Sequence, residues 1–120
     1  MHELALAQQL LQVVEQTARA NRLKNVVEIK IVVGEMMAVV PEALEFSFQV
    51  ISQNTVAQGA KLVIEEQQAL NACPQCQETY PWLEYGYRCP SCSHLGGKII
   101  QGRDFYIDYI EGDEASSDKS

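Results

Sequence analysis

Residues 73–92 read "CPQCQETYPWLEYGYRCPSC", and this stretch divides the chain. Cys73 and Cys76 are separated by two residues, Cys89 and Cys92 likewise, and 12 residues lie between the pairs. A two-residue gap lets both thiolates of a knuckle reach one ion while backbone amides turn toward the sulfurs. Two such knuckles close a tetrahedral shell of four thiolates, which favours Zn²⁺. The same thiolates also suit iron in a rubredoxin-like or iron–sulfur site. A redox Cys-x-x-Cys needs a thioredoxin-type setting, against which the duplicated pair argues. The spacer is a little shorter than the usual zinc-ribbon range, yet long enough to fold back as a hairpin. A closed shell leaves no open coordination position, so the expected role of its zinc is structural. In so small a module, metal-binding free energy is folding free energy.

The surroundings of the knuckles differ from the rest of the chain. Residues 70–98 contain all four cysteines, three of the four prolines, the only tryptophan and three of the five tyrosines, and they show no periodicity. Tyr80, Trp82, Tyr85 and Tyr87 could serve as a base-stacking platform. With Arg88 as the nearby cation, a miniature core beneath the knuckles accounts for them better. His94, two residues after Cys92, reads either as a solvated loop histidine or as a ligand that exchanges with a thiolate.

Periodicity governs the flanks. Leu4, Ala7, Leu10, Leu11, Val14 and Ala18 recur at helical spacing, so an amphipathic helix is expected from about Glu3 to Ala20. In "VVEIKIVVG", Val27, Ile29, Ile31 and Val33 alternate with Glu28 and Lys30, which predicts a half-buried strand ending at Gly34. Pro41 suits the first position of a second helix, with Glu42 and Glu45 near its positive end. Leu44, Phe48 and Ile51 supply its buried stripe, widened by Phe46 and Val50. "AKLVIEEQ" (60–67) reads as a second strand and "IIQGRDFYIDYIE" (99–111) as a third, with Phe105, Ile107 and Tyr109 on one face.

The expected fold is α+β: two helices packed on a small three-stranded sheet, with an inserted four-cysteine, zinc-ribbon-like module. Residues 1–69 and 99–111 would form one domain and 70–98 a zinc-binding domain. Residues 112–120 would form a disordered acidic tail. Strand edges around the inserted module leave homodimerisation or domain swapping open.

Charge narrows the function classes. The 120 residues carry a net charge of −7, and no segment is basic. Residues 1–70 contribute −3, 71–98 contribute 0 and 99–120 contribute −4. Phosphate neutralisation has little to draw on, which argues against a nucleic-acid partner. No apolar run approaches a membrane span, and the first residues lack a basic signal-peptide region, so the expected compartment is the cytoplasm. In that reducing setting, metal ligation is the expected use of four cysteines. Two histidines and a fully thiolate-ligated metal leave little to act as base or nucleophile, so no enzyme activity is expected.

The chain opens "MHEL". The Met1 amine, the His2 amide and His2 Nδ1 can close a five-membered and then a six-membered chelate ring. The Glu3 amide or carboxylate can complete the set. A planar, nitrogen-rich set suits Ni²⁺ or Cu²⁺. It should weaken below about pH 6–7, where amine and imidazole are protonated. A bulky second residue disfavours removal of the initiator methionine, which keeps that amine on Met1. By themselves these residues also read as a solvated histidine and a first-turn acid on a helix.

Taken together, "MHEL" before an amphipathic helix, "VGEM" after the first strand, "PEALEFSF", the paired knuckles and "GRDFYIDYIE" resemble the HypA/HybF family over about residues 1–111. These are the nickel metallochaperones of [NiFe]-hydrogenase maturation. The resemblance implies Ni(II) ligation at Met1, His2 and Glu3 and structural Zn(II) at Cys73, Cys76, Cys89 and Cys92. It also implies delivery of nickel to the hydrogenase large subunit in concert with the nickel-handling GTPase HypB; some relatives serve urease as well. Asp104 stands where the family pattern has glutamate, a change that keeps the acid. The competing reading is a zinc-containing protein-interaction adaptor that carries no nickel.

Overall fold

The computed structural model describes residues 3–115. Met1, His2 and residues 116–120 of the expected tail lie outside the described residues.

In chain order the elements are α1 (Glu3–Ala20), β1 (Leu23–Gly34), a 3-10 turn (Glu35–Met37), α2 (Pro41–Ile51), β2 (Lys61–Gln67), β3 (Leu70–Ala72), β4 (Thr79–Pro81), α3 (Trp82–Tyr85), β5 (Lys98–Gln101) and β6 (Phe105–Glu114). They build two sheets, one of strand order β2-β1-β6 and one of order β4-β3-β5. The α+β class holds, with its two long helices and the sheet of three strands. Two strands of the second sheet, β3 and β4, and the short α3 occupy the stretch that shows no periodicity, because elements of three or four residues are too short to display one.

α1 buries Leu6, Ala7, Leu10, Val14 and Ala18. The stripe is the expected one shifted slightly: Leu6, one turn before Leu10, takes the place of Leu4, which is half exposed. Asn21 ends the helix by donating through both its backbone N–H (3.0 Å) and its side-chain amide (2.8 Å) to the Thr17 carbonyl. α1 packs on α2, where Leu44 and Phe48 are buried at i, i+4. The expected widening of that stripe is corrected here: Phe46 is 68% exposed and Val50 is also exposed, because α1 covers only one narrow face.

β1 departs from simple alternation. Val26 is buried, its N–H bonded to the Val56 carbonyl at 2.8 Å, whereas Val27, expected on the inner face, is half exposed. Further along, Ile31, Val32 and Val33 are all buried, so this end of the strand is covered on both sides. Lys30 ties the first sheet together from its central strand, with Nζ 2.8 Å from Glu65 Oε1 on β2 and 3.4 Å from Asp108 Oδ2 on β6. The Tyr109 hydroxyl adds a hydrogen bond to the Glu28 carboxylate.

The stretch 99–111, expected as one strand, is two strands in two different sheets. The break falls at Gly102, whose φ of +108° suits glycine alone. Its carbonyl accepts the Met36 N–H at 2.9 Å, and two residues on, the Asp104 carbonyl accepts the Gly34 N–H at 2.7 Å. The acidic tail expected from residue 112 begins instead as strand, since β6 continues to Glu114 and the Ala115 N–H still reaches the Arg22 carbonyl at 2.7 Å.

The described residues form two compact units. One takes the residues up to Ile31, Val39–Glu65 and those from Ile107 onward; the other takes Val32–Ala38 and Glu66–Tyr106. The second unit therefore extends beyond the expected 70–98 segment. It recruits the end of β1 and the turn after it, because the bonds made by Gly34 and Met36 run to residues 102–104.

Candidate metal centre

The four cysteines converge. The Sγ atoms of Cys73, Cys76, Cys89 and Cys92 all lie within 4.8 Å of one another. Between knuckles, Cys73 and Cys92 approach to 3.6 Å and Cys76 and Cys89 to 3.5 Å. A zinc–sulfur bond of about 2.3 Å in a regular tetrahedron places sulfurs about 3.8 Å apart, so the donor set fits this ion in both chemistry and size.

Each knuckle repeats one hydrogen-bond pattern. The N–H of its first cysteine bonds a carbonyl five residues later: Cys73 to Glu78 at 2.8 Å and Cys89 to His94 at 2.9 Å. The N–H four residues on returns to the cysteine carbonyl, from Gln77 and from Ser93, each at 2.9 Å. Those two residues carry the left-handed φ values (69° and 65°) that turn the chain back. The amide two residues on points at the sulfur, Gln75 to Cys73 and Ser91 to Cys89, both at 3.4 Å. Amides directed at sulfur stabilise thiolate, and they are the feature that the two-residue spacing makes available.

The thiols oppose one another electrostatically. Burial raises the Cys89 thiol, but the backbone N–H groups of Cys92 and Ser91 and the neighbouring thiols outweigh it and bring it down to about 7. At Cys76 the Glu78 N–H lowers the pKa, yet hydrogen bonding to Cys89, burial and the other two thiols push it up to about 12. Four anions at this spacing require a cation among them. Tyr80, buried on β4, is held neutral by that burial and by the charges of Cys89 and Cys73.

The aromatic residues meet the expected miniature core in part. Tyr80 is buried with Cys73 and Cys89 and meets Tyr85 edge-on at 6.2 Å. Trp82 meets Tyr87 edge-on at 6.4 Å, while Tyr85 and Tyr87 remain exposed. Asn71, fully buried opposite Tyr80 in the β3–β4 register, donates to the Gly86 carbonyl.

Of the three residues of the expected nickel set, only Glu3 is among those described. It opens α1, and its Oε2 accepts the Val40 N–H at 3.1 Å. Val40 is the N-cap of α2 and makes no side-chain cap bond of its own, so Glu3 sets a carboxylate at the positive end of the second helix. This long-range pairing has no local signature; neither its spacing nor its residue types single it out in the sequence.

The "VGEM" and "GRDF" segments also acquire a physical role. A side chain on Gly34 would run into the Gly102 carbonyl, and one on Gly102 would run into Ala69. Glu35 Oε1 accepts the Ala69 N–H at 2.8 Å. Gly34 thus packs directly on Gly102, while Glu35 and Gly102 both close on Ala69, which lies in neither motif.

Comparison with known proteins agrees with this architecture. Residues 1–112 match the family described as hydrogenase/urease nickel incorporation, metallochaperone, HypA. The hydrogenase maturation factor HypA of Moorella thermoacetica is 39% identical over 113 residues, covering 94% of this chain and 100% of the relative. That of Caldanaerobacter subterraneus subsp. tengcongensis is 34% identical, covering 92% and 98%. The solution structure of the nickel metallochaperone HypA from Helicobacter pylori superposes with a TM-score of 0.70 at 22% identity, covering 96% of this chain and all of that one, and so shares the fold. With the family pattern running over residues 1–112, the chain belongs to the HypA family of hydrogenase and urease nickel-incorporation metallochaperones.

Proposed function

We propose that the protein is a non-catalytic cytoplasmic carrier that binds Ni²⁺ through Met1, His2 and Glu3 and passes it to the large subunit of a [NiFe]-hydrogenase, together with the GTPase HypB. The observation that carries this reading is the family match over residues 1–112, which includes "MHE" itself. The geometry supports it at Glu3. One carboxylate oxygen accepts the Val40 N–H, which ties the first turn of α1 to the start of α2, and the Glu3 amide or carboxylate would complete the nickel set. A terminal site suits a carrier, because a partner can displace a ligand there without opening a core.

Zn²⁺ is the structural ion, held by Cys73, Cys76, Cys89 and Cys92. It supplies the positive charge that four converging thiolates need and no open position for chemistry. Glu3 and the four cysteines belong to different units.

The test is a calorimetric Ni²⁺ titration of zinc-loaded protein starting at Met1, beside the same protein with a short N-terminal extension. The carrier reading expects about one equivalent to bind, the extension to remove it, and His2→Ala to abolish it with zinc content and helicity unchanged. Equal binding by native and extended protein, or none by either, would favour the adaptor reading instead.

A further inference from the structure

Among the described residues, the strand order β2-β1-β6 leaves β6 with a neighbour on one side only. Beside it, between α1 and β6, runs an open groove of about 890 Å³. Val13 of α1 and Val27 of β1, 46% and 50% exposed, give it an apolar wall together with Ile107 of β6. Along β6 its lining turns acidic, and among the described residues no lysine or arginine lines it. Asp108 faces Lys30. Glu111, Asp113 and Glu114 also line the groove, and among the described residues no cation of the chain pairs with them.

We propose that this groove receives a basic, extended segment of another protein, which adds to β6 as a further strand of the first sheet. An edge strand offers unpaired backbone donors and acceptors, and strand addition uses them directly. A strand placed about 4.8 Å beyond β6 would extend the sheet beneath the uncovered flank of α1. Side chains alternating along it would set aliphatic groups against Val13 and Ile107 and lysine or arginine against the carboxylates. Charge selects the occupant. A second copy of this chain would bring the same acidic strand against itself, and nucleic acid would bring phosphate. The inference does not depend on the nickel reading, since it uses only residues of α1, β1 and β6.

A fluorescent peptide of about nine residues, the length of a long strand, with lysine and valine alternating, is the probe. It is titrated at low salt into full-length, zinc-loaded protein, with anisotropy and amide chemical shifts as readouts. Saturable binding is expected, with shifts along Ile107–Glu114 and α1. Glu111→Lys with Asp113→Lys should weaken it by about tenfold or more. A peptide of the same composition in two blocks should bind more weakly, because only alternation matches a strand. Zinc content and helical signal verify the fold, and Glu111→Gln with Asp113→Asn serves if the charge reversal fails to fold. Binding that ignores both double variants, equal binding of the block peptide, shifts elsewhere, no binding, or self-association through β6 would each overturn the proposal.

Discussion

The two units of this chain are stabilised by different physics. The first is held by burial: Leu6, Leu10 and Val14 of α1, Leu44 and Phe48 of α2 and Ile29 of β1 are almost entirely inaccessible to solvent. The second has strands of three and four residues and a buried cluster made of two cysteines and one tyrosine. Elements so short bury little apolar surface against the entropy of the chain, so a metal held by the four cysteines is expected to carry much of the second unit's stability. Four converging sulfurs take the place of a core.

Removing a thiolate is the strongest way to separate the two. Cys73→Ser should lose the zinc and with it the order of the second unit, since a structural zinc carries roughly 10–16 kcal/mol of apparent binding free energy. Amide exchange should then rise across Glu66–Tyr106 while α1 and α2 stay protected. Cooperative loss of both units would break the contrast drawn here. The converse cut is Phe48→Ala, which opens a cavity in the first unit and should cost about 3–5 kcal/mol in urea denaturation. Zinc stoichiometry should not change; if zinc is lost as well, the units are coupled.

Acidity should distinguish them next. Cys89 is depressed to about 7, a shift that stabilises the folded second unit above the ordinary thiol pKa and is lost as pH falls through about 7. Cys76, raised to about 12, must release its proton to solvent for its thiolate to bind a metal throughout this range. Zinc retention against a competing chelator should therefore fall as pH drops from about 8 to 6, while the helical signal of the first unit persists. Equal zinc retention across that range would contradict the thiol assignment.

Smaller effects refine the comparison. Glu35→Ala removes the acceptor of the partly buried Ala69 N–H and should destabilise the second unit by about 1–2 kcal/mol, read as faster amide exchange at Ala69 and its neighbours. Lys30→Met should matter least. Glu65 and Asp108 raise the Lys30 pKa, a contribution present below the ordinary lysine pKa and lost as pH rises through the raised value. These are half-open ion pairs, so a melting shift of a few degrees at most is expected in the first unit, smaller still in high salt.

Much of this was legible in the residues alone. The spacing of Cys73, Cys76, Cys89 and Cys92 specified a four-sulfur site before any fold was known, because two-residue gaps and repeated knuckles are local geometry. The bounds of α1 and α2 followed from apolar period and from Pro41, again local. The family motifs were visible too, although nothing in them said what "VGEM" and "GRDF" do for one another.

Only the tertiary structure decided which apolar residues find a partner. Val27, Phe46 and Val50 have the period of buried positions, yet they are exposed, because a three-stranded sheet and two helices cannot cover every face. It also split the alternating run 99–111 between two sheets at Gly102, set Glu3 on Val40, and left the acidic edge of β6 open. The reason is common to all four. A pattern along the chain reports the shape of its own element, whereas pairing and coverage depend on segments tens of residues away, whose arrival it does not encode.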